Sequence, residues 1–344
     1  MIKLNFQKEL LAWYQIHKRT LPWRSTTDAY VIWLSEIILQ QTRVVQGLPY
    51  FEKFIAHFPT VTDLANAEEQ EVLALWQGLG YYSRARNLHA TAKIVVQDYD
   101  SVFPTTYREL IKLKGVGDYT ASAIASFSSN EAVAVLDGNV FRVFARLLGV
   151  DTPINTSEGM KLFKQITDEY LYLDDPSTYN QAIMEFGAIA CMPKKPNCFF
   201  CPFAGNCVAY NTGKVGELPV KLKKNKIKKR YFHFVIDKNK EGILLEKRVH
   251  KDIWQHLYQF PLVETNSNQL IVDLPSSEFA DLKLISQNKK THKLSHQHIY
   301  ASFYEGNLIT DNSSKYIRVS SDQLKDYPLP VLLTNFLEET IVIL

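Results

Sequence analysis

The 344-residue sequence predicts two domains of different class, an all-α domain followed by an α+β domain. Apolar residues recur at helical spacing from Phe6 to about Asn211, whereas β-type segments dominate from Tyr231 onward. Between them both patterns dissolve, and seven of the ten residues from Lys221 to Arg230 are basic. We therefore expect a helical domain over 1–212, a basic linker over 213–230 and a second domain over 231–344.

Individual elements follow from the same spacing and from short Gly, Pro or Asp breaks. The helices predicted in the first domain are Tyr30–Gln41, Glu68–Gly78, Ser83–Gln97, Ala121–Ser129, Gly138–Leu148 and Ser157–Leu173. The run Val133–Leu136 is too short to assign to a strand or a helix. In the second domain we expect strands at Tyr231–Ile236, Gly242–Lys247, Leu282–Gln287, Ile299–Tyr304 and Tyr316–Val319, with helices at Ser276–Ala280 and Val331–Glu339.

Composition narrows the class of protein. Hydrophobic residues make up 46% of the chain and charged ones 22%, which is typical of a globular protein with substantial cores. A run of eighteen apolar residues is missing, and the first ten residues lack the apolar stretch of a signal peptide. We therefore expect no membrane span and a reducing cytoplasmic location. The net charge of +3 is too small to identify a partner.

The four cysteines lie within seventeen residues, at Cys191, Cys198, Cys201 and Cys207. A secreted disulfide scaffold would be shorter and richer in cysteine. Four converging thiolates indicate an iron–sulfur cluster or a tetrahedral zinc. One short Cys-x-x-Cys pair is flanked here by spacings of six and five residues, whereas structural zinc usually takes two short pairs. This asymmetry favours a 4Fe–4S cluster; zinc and unligated thiols stay open.

Two glycines, Gly115 and Gly117, lie where one predicted helix ends and another begins. Glycine tolerates positive φ and leaves the backbone N–H groups bare, so a helix N-terminus at this turn can bind an anionic oxygen. A mononucleotide loop is excluded because Gly-x-x-x-x-Gly-Lys-Ser/Thr is missing. A dinucleotide-binding fold is not expected either, because no β-strand precedes the turn. An ordinary corner between two helices is the alternative.

Two carboxylates have positions suited to acid–base chemistry. Glu36 lies in an otherwise apolar helix, where burial would raise its pKa and preserve a proton. Asp137 precedes Gly138 at a helix start, a position that favours the ionised form. A protonated and an ionised carboxyl group in one pocket can divide proton donation and cation stabilisation. The alternatives are a surface carboxylate for Glu36 and a simple N-cap for Asp137.

A family resemblance appears when these motifs are combined. Leu-x-Gly-Val-Gly-x-x-Thr-Ala at 113–121, Asp-Gly-Asn-Val-x-Arg at 137–142 and the four cysteines resemble the helix–hairpin–helix DNA glycosylases related to endonuclease III. Residues 21–24, 33–42, 77–85 and 180–187 resemble the MutY-type adenine DNA glycosylases of that superfamily, which remove adenine mispaired with 8-oxoguanine. The resemblance is dense over 5–210. Beyond it, 254–262 and 294–296 resemble the family's Nudix-like domain, which reads 8-oxoguanine on the opposite strand.

The resemblance implies a hydrolase that cleaves the N-glycosidic bond of adenine. Glu36 would protonate adenine N7 and later activate water. Asp137 would stabilise the sugar cation or attack C1′, supported by Asn139 and Tyr119. In endonuclease III-like enzymes the position of Tyr119 is a lysine that forms a Schiff base with the substrate. We therefore expect a monofunctional glycosylase that leaves an abasic site.

The resemblance also implies how the base is reached, since a glycosylase must kink the duplex and extrude its target. The adenine pocket would be lined by Arg19, Leu21, Trp23, Arg24 and Gln181. The DNA contacts would be Gln41, Thr42, Leu79, Tyr81, Gly115, Gly117, Ser295 and His296. Tyr81 would wedge beside 8-oxoguanine, although core packing is the alternative. Leu294 replaces the phenylalanine that the family usually has before Ser295 and His296. The alternative interpretation of Ser295 and His296 is an exposed polar loop without a DNA contact.

The implied cofactor is a 4Fe–4S cluster on the four cysteines, and the implied partner is double-stranded DNA with A opposite 8-oxoguanine or G, bound by a monomer. The glutamate signature of Nudix hydrolases is missing from 231–344, so nucleotide hydrolysis is not expected. Residues Lys221–Arg230 would contact phosphates or form a solvated linker. The alternative functions are a thymine or oxidised-pyrimidine glycosylase of the same fold and a non-catalytic iron–sulfur DNA-binding protein.

Overall fold

The computed structural model describes residues 2–222, 227–267, 278–287, 291–309 and 315–341. They divide into two compact units, one formed by 2–66 and 87–222 and the other by 67–86 and the described residues from 227 onward. The first unit is helical and the second is rich in strands. The predicted succession of an all-α and an α+β domain is therefore confirmed.

Helices account for most of the ordered backbone before residue 212. They are α1 (Ile2–His17), α2 (Ala29–Leu39), α3 (Val44–His57), α4 (Val61–Asn66), α5 (Glu69–Leu75), α6 (Ser83–Asp98), α7 (Tyr107–Leu110), α8 (Asp118–Ser129), α9 (Gly138–Leu148), α10 (Ser157–Tyr170), α11 (Pro176–Glu185) and α12 (Val208–Asn211). Each helix predicted here from apolar spacing is present, with its ends within three residues of the prediction.

Helix α9 organises the core of the helical unit, since Val140–Leu147 are all buried. Phe144 packs in a cluster with Phe6 and Phe163, and truncation of such a buried ring costs about 3–5 kcal/mol. The buried arginines Arg142 and Arg146 also belong to α9, and their guanidinium groups bind backbone carbonyls. This one helix therefore anchors both the turn that contains Gly187 and the start of the cysteine loop.

The run Val133–Leu136 forms neither strand nor helix. Its backbone groups are bound by side chains instead of a neighbouring strand. Asn180 donates to the Val133 carbonyl at 2.8 Å and accepts from the Val135 N–H at 3.2 Å, and Lys164 Nζ donates to the Ala134 carbonyl at 3.1 Å. These bonds hold the run extended as it enters α9.

The second unit contains two sheets formed by β1 (Lys228–Ile236), β2 (Lys238–Asn239), β3 (Gly242–Lys247), β4 (Tyr258–Gln259), β5 (Leu262–Thr265), β6 (Phe279–Gln287), β7 (His292–Lys293), β8 (Gln297–Leu308) and β9 (Tyr316–Val319), with helix α13 (Val331–Ile341). One sheet has the order β5-β1-β8-β6 with β7 also on β8, and the other joins β2, β4 and β9 to β3. Strands β1 and β8 run parallel, and the other pairs are antiparallel.

Two sequence predictions differ from this unit. Phe279 and Ala280 begin strand β6, so the prediction of a helix over 276–280 is wrong at these two residues. Residues 276 and 277 lie outside the described residues. Phe279 pairs with Leu308 and is buried, and this strand pairing overrides the local pattern. Strand β1 begins at Lys228, inside the predicted linker, because Arg230 is a buried, paired residue of the sheet.

None of the helices in the described ranges combines the length and the apolar character needed to cross a bilayer.

Candidate active site

A cavity of about 620 Å³ lies in the helical unit. Twelve of the predicted site residues line it: Arg19, Leu21, Trp23, Arg24, Glu36, Gln41, Thr42, Gly117, Tyr119, Asp137, Asn139 and Gln181. They come from α2 and the segments on both sides of it, and from α8, α9 and α11 with their N-caps, so widely separated parts of the chain converge. A cavity of this size, with apolar walls and a few directed polar groups, fits a small ligand.

Glu36 carries the acid–base character of the cavity. It is 6% exposed, and the Tyr119 hydroxyl donates to its carboxylate at 2.7 Å. Burial raises the pKa of Glu36 to about 7, the nearby Asp137 adds to the rise, and the Tyr119 hydrogen bond opposes it. At neutral pH Glu36 therefore exists in both the protonated and the ionised form. A residue that donates a proton and later accepts one needs both forms.

Asp137 caps α9 and faces the same cavity. Its carboxylate accepts from the backbone N–H of Asn139 at 2.9 Å, from that of Val140 at 2.8 Å and from the Asn139 amide at 2.7 Å. Burial raises the pKa of Asp137, while these three donors and Arg142 lower it. The N-cap interpretation and the electrostatic one therefore apply to the same side chain, since the capping bonds favour its charged form.

Asn139 and Arg142 connect Asp137 to the cysteine loop. Arg142 donates to the Asn139 side-chain oxygen at 2.9 Å, to the Gly187 carbonyl at 2.6 Å and to the Cys191 carbonyl at 2.7 Å. Gly187 lies in a π-helical turn, Phe186–Ala190, and a Cβ at Gly187 would be 2.6 Å from the Asn139 Cβ. The chain can approach Asn139 this closely only because residue 187 is glycine.

Sequence reasoning missed a third carboxylate, Glu185. It is fully buried and lines the cavity. Arg19 donates to it from Nε and Nη2 at 2.7 Å each, and Arg24 donates from Nη2 at 2.7 Å. Burial would raise the pKa of Glu185, but these bonds lower it to about 2. The two arginines are thus held by Glu185, whose sequence signals were its place in the stretch 180–187 and its helical spacing from Gln181.

The hairpin glycines have different roles. Gly115 has a φ of +78°, and a Cβ there would be 2.8 Å from the Asn87 Cβ. Gly117 has a φ of −93° as the N-cap of α8, so of the two hairpin glycines only Gly115 adopts the positive φ that glycine tolerates. Gly117 lines the cavity and Gly115 does not, because only Gly117 lies directly at the helix start.

The remaining predicted DNA contacts belong to the second unit, in residues 67–86 and the turn at 294–297. Tyr81 has a φ of +49°, is 43% exposed and makes a hydrogen bond to the Ser295 hydroxyl. The Arg84 guanidinium lies 5.7 Å from the Tyr81 ring and donates to the Gly80 carbonyl at 3.2 Å. A left-handed non-glycine residue that presents an exposed ring is typical of a functional loop. Leu79 beside it is buried, and Ser295 and His296 are exposed.

The four cysteines are free thiols that line one small cavity of about 30 Å³. Burial raises the pKa of Cys201 to about 11, and the neighbouring thiols add to the rise. Arg146 donates to Cys191 Sγ at 3.4 Å. Among the described residues, no three His, Cys, Asp or Glu side chains converge tightly enough to hold a single metal ion.

The pH dependence of the base release that the sequence predicts provides a first test of the hydrogen-bonded pair Glu36 and Tyr119. The single-turnover rate should fall as pH rises through about 7, because the protonated fraction of Glu36 declines. Tyr119→Phe removes the hydrogen bond that lowers this pKa, so the decline should move to higher pH. Rates at saturating enzyme between about pH 5.5 and 9 measure both profiles. A profile that is unchanged in Tyr119→Phe would contradict the assignment of this pair.

Both units of this chain resemble known proteins. Residues 34–169 match the model of HhH-GPD superfamily base excision DNA repair proteins, and 232–339 match the NUDIX domain. An adenine DNA glycosylase of Buchnera aphidicola subsp. Baizongia pistaciae is 37% identical over 302 residues, which cover 87% of this chain and 85% of the relative. One of Homo sapiens is 41% identical over 218 residues, covering 59% and 39%. A solved thermostable thymine-DNA glycosylase superposes with a TM-score of 0.57 at 27% identity, covering 61% of this chain and 97% of that one.

The helical unit thus belongs to a base excision DNA repair protein with the fold of the HhH-GPD superfamily, and the strand-rich unit adds a Nudix domain. Within that class, the chain belongs to the adenine DNA glycosylase family. The family resemblance and both fold predictions are confirmed.

Proposed function

We propose that this chain is a monofunctional glycosylase that hydrolyses the N-glycosidic bond of adenine opposite 8-oxoguanine or guanine in duplex DNA. The observation that carries the proposal is the buried Glu36, with a pKa of about 7, in one cavity with Asp137. The similarity to curated adenine DNA glycosylases supports the choice of base.

The proposed chemistry divides the work between the two carboxyl groups. Glu36 donates its proton to adenine N7, and the C1′–N9 bond breaks with its electron pair leaving on adenine. The Asp137 carboxylate stabilises the resulting sugar cation. Water then adds to C1′ as the Glu36 carboxylate takes its proton, which restores the enzyme and leaves an abasic site. Tyr119 offers a hydroxyl and no amine, so no Schiff base forms at this position.

The adenine pocket is proposed to be shaped by a frame that Glu185 holds in place. Arg19 and Arg24 are fixed by this buried carboxylate, so their positions are set before a base enters. Gln181 lines the cavity with a side-chain amide held by the Tyr14 hydroxyl at 3.2 Å. A preorganised wall of this kind lowers the entropic cost of binding an extruded base.

Reading of the opposite base is proposed for the second unit. Tyr81 presents an exposed ring that can replace lost stacking, and it is hydrogen-bonded to Ser295. Ser295 and His296 offer hydrogen-bonding groups suited to an oxidised purine edge. We therefore assign recognition of 8-oxoguanine to the turn that contains these two residues.

The four cysteines are proposed to hold a 4Fe–4S cluster. A tetrahedral zinc needs all four sulfurs about 2.3 Å from one point. The four thiols line one common cavity, and their spacing along the chain, with only one short Cys-x-x-Cys pair, favours the cluster over zinc. When bound, the cluster would tie the loop together by soft coordination to four thiolates. Iron and acid-labile sulfide in the purified protein would support this assignment, and stoichiometric zinc would contradict it.

A panel of duplexes tests the proposed function. Purified protein should release adenine from duplexes with A opposite 8-oxoguanine and A opposite G, and no thymine from T opposite G. The product strand should break only after hot alkali, because a monofunctional enzyme leaves the abasic sugar intact. Thymine release without adenine release would assign this chain to the thymine-directed alternative. Strand cleavage without alkali at the rate of base release would contradict the monofunctional assignment.

A further inference from the structure

We propose that the larger sheet of the second unit carries a phosphate-binding row formed by Lys229, His298 and Lys293, which binds the backbone of the DNA strand that contains the opposite purine. The inference rests on the proposed function, because it takes Ser295 and His296 as the residues that read that purine. It specifies which part of the basic segment contacts DNA and which strand is bound.

Strand register places two lysines on either side of a histidine. Lys229 of β1 pairs with His298 of β8, and His298 pairs with Lys293 of β7. Residues directly opposite one another in a sheet project from the same face. Neighbouring strands lie about 4.8 Å apart, so the row spans roughly 10 Å. One DNA strand presents about three phosphates over that distance.

The row lies next to the turn that contains Ser295 and His296, because its residues are at the start of β1 and β8 and at the end of β7. This turn connects β7 to β8 and is closed by the Leu294 N–H, which donates to the Gln297 carbonyl at 2.8 Å. The Lys228 N–H donates to the His296 carbonyl at 3.2 Å, so the start of β1 is fixed against the turn. A nucleotide read by the turn would therefore have its flanking phosphates near the row.

The distribution of charge separates the row from the rest of the basic segment. Arg230, the next residue on β1, projects from the other face and is 7% exposed. Its guanidinium pairs with Asp252 at 2.8 Å and Glu264 at 2.6 Å, so it stabilises the fold and is unavailable to DNA.

The members of the row lack such partners. Within the described part of the chain none of them forms an ion pair, and Lys229 and Lys293 are exposed. The next residues on this face of β1 and β8, Tyr231 and Tyr300, form a partly exposed stacked pair with ring centroids 5.1 Å apart. Two uncompensated lysines flanking a hydrogen-bonding histidine, beside an uncharged aromatic pair, suit a phosphate backbone.

Salt dependence of binding tests the row. The probe is a duplex with a non-hydrolysable 2′-fluoro-adenosine opposite 8-oxoguanine. The double variant K229Q/K293Q should reduce the slope of log affinity against log salt by about 2, because each lost phosphate contact removes about 0.9. K238Q/K240Q is the matched control, since Lys238 and Lys240 are exposed residues beyond the far end of β1. Its slope should equal that of the wild type.

A conservative variant guards against misfolding. K229R/K293R keeps both charges and should restore the wild-type slope, with thermal midpoints compared for all variants. An unchanged slope in K229Q/K293Q would overturn the inference. An equal fall in K238Q/K240Q would also overturn it, since the effect would then reflect net charge alone.

Neutral methylphosphonate linkages identify the strand. Placed beside 8-oxoguanine, they should weaken binding of the wild type and leave K229Q/K293Q little affected. The reverse pattern, with loss only when the adenine strand is neutralised, would overturn the strand assignment. The two proposals fail separately. A wild type that excises adenine while the row variants bind normally sinks this inference alone, whereas a wild type without adenine release sinks the proposed function.

Discussion

Glu36→Gln should reduce the single-turnover rate of adenine release by at least about a thousandfold. The substitution removes a proton donor that typically raises the rate by about 10²–10⁴-fold, and the same group also serves as the base that activates water. Glutamine has a similar shape and can still accept the Tyr119 hydrogen bond, so the cavity should keep its form. Binding to the non-hydrolysable duplex should change little. Rates measured with enzyme in excess over duplex test this expectation.

The same substitution should stabilise the protein at alkaline pH. The folded-state pKa of Glu36 is about 7 against an ordinary 4.5, so the folded state retains a proton that the unfolded chain has lost. The wild type therefore loses stability as pH rises between these values, by up to about 3 kcal/mol. Glutamine has no proton to lose, and its advantage should appear in thermal midpoints at pH 8 and vanish below pH 4.5.

Glu158→Gln is the matched control for both effects, because Glu158 is an exposed residue of α10 outside the cavity. It should change neither the rate nor the pH dependence of stability. An active Glu36→Gln enzyme, within tenfold of the wild type, would refute the role of Glu36 as the acid.

Asp137→Asn should lower the rate by about 10²–10³, the usual effect of removing one preorganised electrostatic stabiliser. Asparagine is as good an N-cap as aspartate, and its oxygen can keep accepting from the Asn139 and Val140 N–H groups. The loss should therefore appear in the rate, with the thermal midpoint nearly unchanged. Single-turnover rates and melting curves of the same preparation separate the two effects.

A second capping aspartate provides the control. Asp175 caps α11 by accepting from the Thr178 N–H at 3.1 Å and does not line the cavity. Asp175→Asn makes the same chemical change at an equivalent helix position, so its rate should match the wild type. If both variants lost activity equally, the effect of Asp137→Asn would be one of helix capping and not of charge beside the sugar.

The sequence determined the helical elements, the fold class and the family, because each depends on local spacing. The predicted bounds of α9, Gly138–Leu148, are those of the structure. Strand pairing is less local: the predicted helix at 276–280 is wrong because Phe279 and Ala280 are paired with β8. The run Val133–Leu136 resisted assignment because its backbone partners come from distant Asn180 and Lys164.

Much of the site was foreseen, since Glu36, Tyr119, Asp137 and Asn139 do line one cavity. Their motifs were contiguous and specific. Glu185 was missed because a carboxylate reveals its partners only when the fold brings them together; Arg19 is 166 residues away in sequence. The same holds for Arg230, which composition assigned to a basic linker and the fold pairs with two acids.

The sequence by itself thus fixes what is encoded at short range: which segments are helical, which residues can donate protons or ligate a soft metal, and which family shares those motifs. The tertiary structure alone decides the protonation of Glu36, the capture of Arg19 and Arg24 by Glu185, and the alignment of Lys229, His298 and Lys293 without an acidic partner within the described residues. The physical reason is that burial, charge pairing and strand register depend on neighbours that are remote along the chain.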